Sequence, residues 1–342
     1  SAASDVYKRQ IKRLTCFDIP KINKMIEHLG NGDTTRFQHE LNNEALIAIN
    51  GLVPLKYKFM PETYILSDKD EIMGLITVVP TRGNPYKINI TKLIFQQNSY
   101  DAGKQLVEFI IARYGAKGAV SFCANVDQTH DELLNLFLNG CGFRQCSYEN
   151  LWELKNFIPR EPQKASFRYC QNSDAPDVAR LYNSELNTLY KPSMERIKQE
   201  YKEPFFAGLV NFYKNRYVLE DPMTHRIIAY LSITTTDHRN FTIDISTNDG
   251  YQISYDEVIN FALSEISRRK TNFNAYIKHR QYTKTADGFE KYLHERNLDC
   301  IQTKCVLIKD FYRPVKQQEN VKDGIITILH HTLYDECMYH IK

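Results

Sequence analysis

Apolar positions in this chain fall two apart in some stretches and three to four apart in others, and the two spacings alternate in an order that occurs twice. The first occurrence opens with a short strand over 12–17. Asp18 and Pro20 then start the first of one or two helices over 19–49, with Ile22, Met25 and Ile26 on one stripe. The second opens at 168, where Asp174-Ala175-Pro176 precedes Val178, Leu181 and Tyr182 at the same spacing. A strand, polar turn and strand over 64–76 is answered by 217–231, and Asn98-Ser99-Tyr100-Asp101 by Ile253-Ser254-Tyr255-Asp256, each opening an amphipathic helix. Three matches in one order, at offsets of 153 to 156, point to a duplicated unit.

The remaining elements follow the same alternation. In the first copy a strand over 87–95 leads to a helix over 100–114, a strand over 119–125, a helix over 131–139 and a strand over 148–155. The second copy has a strand pair over 216–235, a strand over 241–246, a helix over 255–268, a strand over 272–278, a helix over 286–295 and a strand over 305–309. This predicts an α/β chain of the α+β type: two tandem domains, each a mixed, largely antiparallel sheet flanked by helices. The boundaries are 11–157 and 166–314, joined by a linker over 158–165 that carries Pro159 and Pro162. Residues 1–10 lack periodicity and read as a non-native or disordered edge, and 315–342 as a tail with no clear pattern.

Composition narrows the function classes. Hydrophobic residues at 42% and charged residues at 25% are those of a soluble globular chain, and no apolar run is long enough for a membrane span. A net charge of +3 with short basic runs, Arg268-Arg269-Lys270 and Lys278-His279-Arg280, reads as solvated helix faces, so no nucleic-acid partner is expected. The eight cysteines include no C-x-x-C and the histidines do not complete a ligand set, so no metal site is expected. Cys141/Cys146 and Cys300/Cys305, each five apart, read as buried free thiols in a reducing cytoplasm.

With these elements in order, the chain resembles the GNAT superfamily of acyl-CoA-dependent N-acyltransferases, over about 11–313. In that family the fourth strand leads to a loop, [RQ]-x-x-G-x-[GA], whose backbone holds the pyrophosphate of coenzyme A at a helix start. The resemblance places this loop after Leu93-Ile94-Phe95 and implies cofactor contacts from Ile94, Phe95, Asn98, Ser99, Tyr100, Asp101, Ala102, Gly103 and Lys104. Asn98 stands at the Arg/Gln position, Asp101 at the middle glycine, and Gly103 keeps the last. Leu138, four residues before Gly142-Phe143, occupies the position of the family's general-acid tyrosine, and Asp131 lies near its asparagine.

In the second copy, the loop over 250–258 lacks the small residue and carries Asp256 and Glu257, so the first copy is the expected cofactor site. Tyr292 and His294 are its available acid or base groups, while Asp70 and Glu71 belong to a solvated turn. The resemblance implies transfer of an acetyl or other acyl group from acyl-CoA, with acetyl-CoA as co-substrate, to a small-molecule or peptide amine. No residue is singled out as catalytic. The alternative is a catalytically degenerate GNAT-fold protein with a ligand-binding or structural role; transfer from aminoacyl-tRNA ranks below both, since it calls for a larger basic surface.

Overall fold

A computed structural model describes residues 9–28, 61–68, 71–96, 99–155, 157–158, 166–203, 213–235 and 237–311. Much of the proposed linker, most of the segment after the first helix, and the 315–342 tail lie outside the described residues.

Among the described residues, twelve strands form one sheet in the order β1-β2-β3-β4-β5-β12-β6-β11-β10-β9-β8-β7. The strands of the first half are β1 (Arg9–Arg13), β2 (Glu62–Asp68), β3 (Glu71–Thr81), β4 (Asn84–Phe95), β5 (Ser121–Asp127) and β6 (Arg144–Glu153). Those of the second are β7 (Arg168–Tyr169), β8 (Tyr213–Glu220), β9 (Ile227–Thr235), β10 (Asn240–Thr247), β11 (Asn274–Arg280) and β12 (Asp299–Asp310). Among the described residues only β4/β5 and β10/β11 pair parallel; every other neighbour is antiparallel.

Period-two alternation sends one set of side chains to each face. On one face of the first half, Phe122, Ala124 and Val126 of β5 pack with Leu106, Val107 and Ile110 of helix α2 (Tyr100–Gly115). A shorter helix, α1 (Ile19–His28), rests with Ile22 and Met25 against Ile65 and Leu75. Helix α3 (Asp131–Asn135) continues as a π-turn over Leu136–Gly140, wider than the single α-helix over 131–139 that the spacing predicts. In the second half, α6 (Tyr255–Ser267) and α7 (Ala286–Glu295) cover one face around Ile243, Ile277 and Trp152. The other face is covered by α4 (Ala175–Glu185) and the short α5 (Lys191–Met194), around Tyr182, Tyr230 and Val306.

The repeat at the two helix starts has a common cause. Asp18 accepts from the Thr15 backbone N–H at 3.0 Å and from Lys12 at 2.7 Å; Asp174 accepts from the Gln171 N–H at 2.7 Å and from Arg168 at 2.7 Å. Each carboxylate thus reaches back to the strand it follows, three and six residues earlier, rather than forward onto the helix as a cap. Hydrogen bonds from Arg168 hold the Asp174 carboxyl below its ordinary value. Arg9 and Gln10, assigned from sequence to a non-native edge, are strand residues that pair with Asp68 and Ser67.

The two halves exchange their last strands. β12 lies between β5 and β6, and β6 lies between β12 and β11, so each half is completed by a strand from the other. Leu307, fully buried, sits in the first half's core beside Phe122 and Ala124. Residues 299–304 are half-buried or exposed, and for want of an apolar pattern the sequence shows only the last part of this twelve-residue strand.

Interleaving predicts that the sheet unfolds as one unit. Leu307→Ala should cost about 2–5 kcal/mol and move a single transition, seen together by tryptophan fluorescence of Trp152, in the second half's core, and by far-UV circular dichroism. Two separated transitions, with only one displaced, would show that the halves fold independently.

Candidate functional site

The two parallel strand pairs run together briefly and then part. β4 pairs with β5 from Lys87↔Ser121 to Ile90↔Ala124 and then continues to Phe95 paired with β3 but not with β5. A register shift between Val78↔Ile90 and Thr77↔Lys92 bends β4 at the point where β5 leaves it. β10 pairs with β11 from Asn240↔Asn274 to Asp244↔Lys278 and continues to Thr247 paired with β9 but not with β11. Each divergence leaves strand edges whose backbone groups have no ladder partner on one side, and a helix start stands over each mouth.

In the first half the mouth holds the residues singled out from sequence, with Asn98 outside the described residues. Ile94 and Phe95 end β4, and Ser99 through Lys104 form the turn and first turns of α2. The Ser99 carbonyl accepts from the amides of Ala102 at 2.8 Å and Gly103 at 3.4 Å. Asp101 is exposed, and Lys104 lies 3.8 Å from Glu108 along the helix.

Gly103 does not face open ground. A Cβ there would come within 2.6 Å of the Leu136 side chain and 2.7 Å of the Phe95 ring, so the glycine lets α2 pack against its own core. Tyr100 ties α2 to α3 and the π-turn: its hydroxyl donates to the Asn135 carbonyl at 3.4 Å and fills the space over Gly140, where a Cβ would meet it at 2.5 Å. Leu138, in the general-acid position, is half-buried and packs against the hydrophobic core, and Asp131 is exposed.

The second half is arranged differently at the corresponding place. A cavity of about 20 Å³, room for about one water molecule, opens where β10 and β11 part and is lined by Glu185, Thr247, Tyr255, His279, Arg280 and Phe289 among others. Glu185 comes from the last residue of α4 and is 6% exposed. It accepts from the Thr247 backbone N–H and lies 3.3 Å from Arg280 Nη2. Burial pushes its carboxyl up to about 7, although Arg280 and the Thr247 amide act in the opposite direction.

Arg280 also donates to the Ile245 carbonyl and to Ser246 Oγ at 2.9 Å, lies 3.3 Å from Asp244, and has its guanidinium 4.9 Å from the Tyr182 ring centre. Its Nη1 is buried without a hydrogen-bond partner among the described residues. His279 points to the opposite face of the sheet. Its Nε2 is 3.1 Å from the Ala286 carbonyl, which can only accept, so Nε2 carries the proton and Nδ1 is a buried lone pair without a partner among the described residues. Burial lowers the His279 pKa, so the ring is neutral near pH 7. Lys278-His279-Arg280 is therefore the end of a central strand, with His279 1% and Arg280 4% exposed, and not the solvated helix face expected from its charge.

Of the acidic pair at the start of α6, Asp256 does not crowd this mouth as the sequence suggests. Asp256 is buried, ion-paired with Arg296, and accepts from Tyr292 Oη at 2.5 Å. Tyr292 is thereby engaged, and His294 stands exposed beside Trp152, 4.8 Å between ring centres; neither lines the cavity. Tyr255 pins α6 to α7 through Phe289 and Tyr292, with centroids 4.4 and 5.2 Å away, as Tyr100 pins α2 to the π-turn. Glu71 is exposed, and Asp70 lies outside the described residues.

Elsewhere, Cys141 and Cys305 are buried free thiols, whereas Cys146 is half-buried and Cys300 is exposed. No helix among the described residues is long and apolar enough to cross a membrane.

Solved structures share this architecture. A tandem GNAT protein from the clavulanic acid biosynthesis pathway, solved without AcCoA, matches with a TM-score of 0.58 over 90% of this chain and 100% of its own, at 8% identity. A GCN5-related N-acetyltransferase from Sphaerobacter thermophilus matches with a TM-score of 0.56 over 90% and 97%, at 10% identity. A Drosophila protein matches with a TM-score of 0.54 over 88% and 98%, at 11% identity. These likenesses show the fold: a tandem GNAT arrangement with a mixed sheet flanked by helices, as the sequence suggested. No family model and no curated protein matches the sequence.

Since Gly103 is packed against Phe95 and Leu136, Gly103→Ala should destabilise the chain by about 1–3 kcal/mol through overpacking. A denaturant midpoint unchanged by that substitution would show that the space at α2 is open.

Proposed function

We propose that this chain is an N-acyltransferase that moves an acetyl or other acyl group from acyl-CoA to an amine, and that the working crevice lies between β10 and β11. The observation that carries the reading is the cavity at that divergence, with a buried carboxyl of raised pKa in its wall, on a fold shared with N-acetyltransferases. In the first-half mouth, the cofactor site expected from sequence, Gly103 packs against Phe95 and Leu136, which favours a structural part for that glycine.

Acyl-CoA would lie along the free edge of β10 past Asp244, its pantetheine amides bonding to that edge and its pyrophosphate over the start of α6, with Asp256 turned inward and neutralised by Arg296. The amine nitrogen attacks the thioester carbonyl carbon. Glu185 takes the proton that the attacking nitrogen sheds, and the C–S bond breaks as the tetrahedral intermediate collapses. The departing thiolate takes a proton from Tyr255, whose hydroxyl stays protonated because burial raises its pKa. Proton exchange with solvent then restores Tyr255 and Glu185. The reading places the protein in the cytoplasm, where acyl-CoA and free thiols coexist.

Calorimetry with acetyl-CoA should show one site per chain, and acetyl transfer to a panel of amines should rise with pH through about 7, as Glu185 loses its proton. Glu185→Gln should leave acetyl-CoA binding in place and lower kcat about 10²–10⁴-fold, with that pH limb gone. Absence of acetyl-CoA binding by the intact protein would overturn the transfer reading.

A further inference from the structure

Resting on the transfer reading, we infer that Glu149, a first-half residue, is a positioning residue of the second-half site: through the Tyr282 hydroxyl it holds the turn that fixes Glu185, so the site is built from both repeats. Glu185 is the last residue of α4, and Leu186 after it is already extended, so no further helical turn holds it from that side. A short antiparallel run between 185–187 and 282–284 does so instead. The Lys284 amide donates to the Glu185 carbonyl at 2.8 Å, Leu186 bridges to Thr283, and the Asn187 amide donates to the Tyr282 carbonyl at 3.1 Å. The same turn is bound to β6, a first-half strand, at two points. The Gln281 amide donates to the Tyr148 carbonyl at 3.1 Å, and Tyr282 Oη donates to Glu149 Oε1 at 2.7 Å. Tyr282 is 1% exposed, and a hydroxyl buried that deeply depends on its acceptor.

Glu149 is itself firmly held. It is buried, and its other oxygen accepts from Asn125 Nδ2 of β5 and from Lys278 Nζ of β11, each at 2.8 Å. Burial works against its charge, yet Lys278 and Tyr282 keep its pKa below the ordinary value, so near pH 7 it is a carboxylate that only accepts. A buried ion pair adds little stability over an apolar pair of similar volume. What it supplies is direction, and a proton acceptor needs direction, since displacement by about 1 Å can cost about a hundredfold in rate. The Glu185 carboxyl faces Asp244 from β10, Arg280 from β11 and Tyr255 from α6, with Lys278 and His279 in the same cavity wall. Tyr282→Phe alters none of those groups, so a changed Glu185 titration in that variant reports displacement of Glu185 and not a change in the charges around it.

The test uses the full chain. Carbon NMR of carboxyl-labelled glutamate, with Glu185→Gln to assign the signal, should show Glu185 titrating near 7 in the intact protein. In Tyr282→Phe, water should reach the carboxyl and move its midpoint down toward the ordinary carboxylate value. The kcat for acetyl transfer should fall roughly ten- to a hundredfold with the KM for acetyl-CoA unchanged, and the pH limb should move down with the NMR midpoint. In a Glu149→Gln background Tyr282→Phe should add little, because the two residues act through one bond. If Tyr282→Phe fails to fold, Glu149→Gln, which keeps the side-chain volume, should itself lower the midpoint. A midpoint unmoved in the folded variants, or shifts that simply add in the double variant, would overturn the positioning role while leaving acyl transfer intact. Lowered midpoints in a protein that does not bind acetyl-CoA would keep the role and sink the transfer reading.

Discussion

Everything distinctive in this molecule depends on where β12 is placed. Hydrogen-bonded to β5 on one side and to β6 on the other, it makes two repeated units share one sheet, with Leu307 in the first core and Val306 and Ile308 facing the second half's helices. A strand held on both edges cannot leave without uncovering both neighbours and stranding two rows of backbone groups. The same exchange puts Glu149, a first-half residue on β6, within reach of Lys278 and Tyr282 of the second half, at 2.8 and 2.7 Å. The crevice between β10 and β11 is therefore walled by groups whose positions are set in part by the first copy.

The duplicated unit has used its two divergences differently. In the first, Gly103 packs against Phe95 and Leu136, and Tyr100 ties α2 to the π-turn. In the second, the equivalent tyrosine packs sideways on Phe289, and the mouth keeps a cavity with ionisable walls. The contrast comes from local packing choices on one backbone design, since the Ser-Tyr-Asp segment starts a helix in both.

The repeat, the element order and most helix positions were legible because they rest on periodicity, and the helix over 286–295 is found where its spacing puts it. Strand exchange was not legible, because hydrophobic alternation records that a strand is buried and not which strand lies beside it. The surroundings of the candidate residues were not legible for a related reason. Gly103 matched a motif whose meaning depends on what faces the missing side chain, and here that is the Phe95 ring. Lys278-His279-Arg280 looked like surface because charge usually is, yet Asp244 and Glu149 lie far away in sequence and pair with it only in the fold. Glu185 carried no local signal at all: its pKa is made by burial under the sheet, not by its neighbours along the chain.

The placement of β12 also bears on how the chain is made. Synthesis delivers β5 and β6 long before β12, so the first half leaves the ribosome with a gap between its fifth and sixth strands that only the far end of the second half can fill. Until then two long strand edges stand open, one of them lined by Phe122, Ala124 and Val126, and such edges are templates for pairing with other nascent chains. The interlock that ties the finished sheet together thus lengthens the interval in which an unfinished copy needs protection, and it makes the last of the described strands the one that seals both repeats.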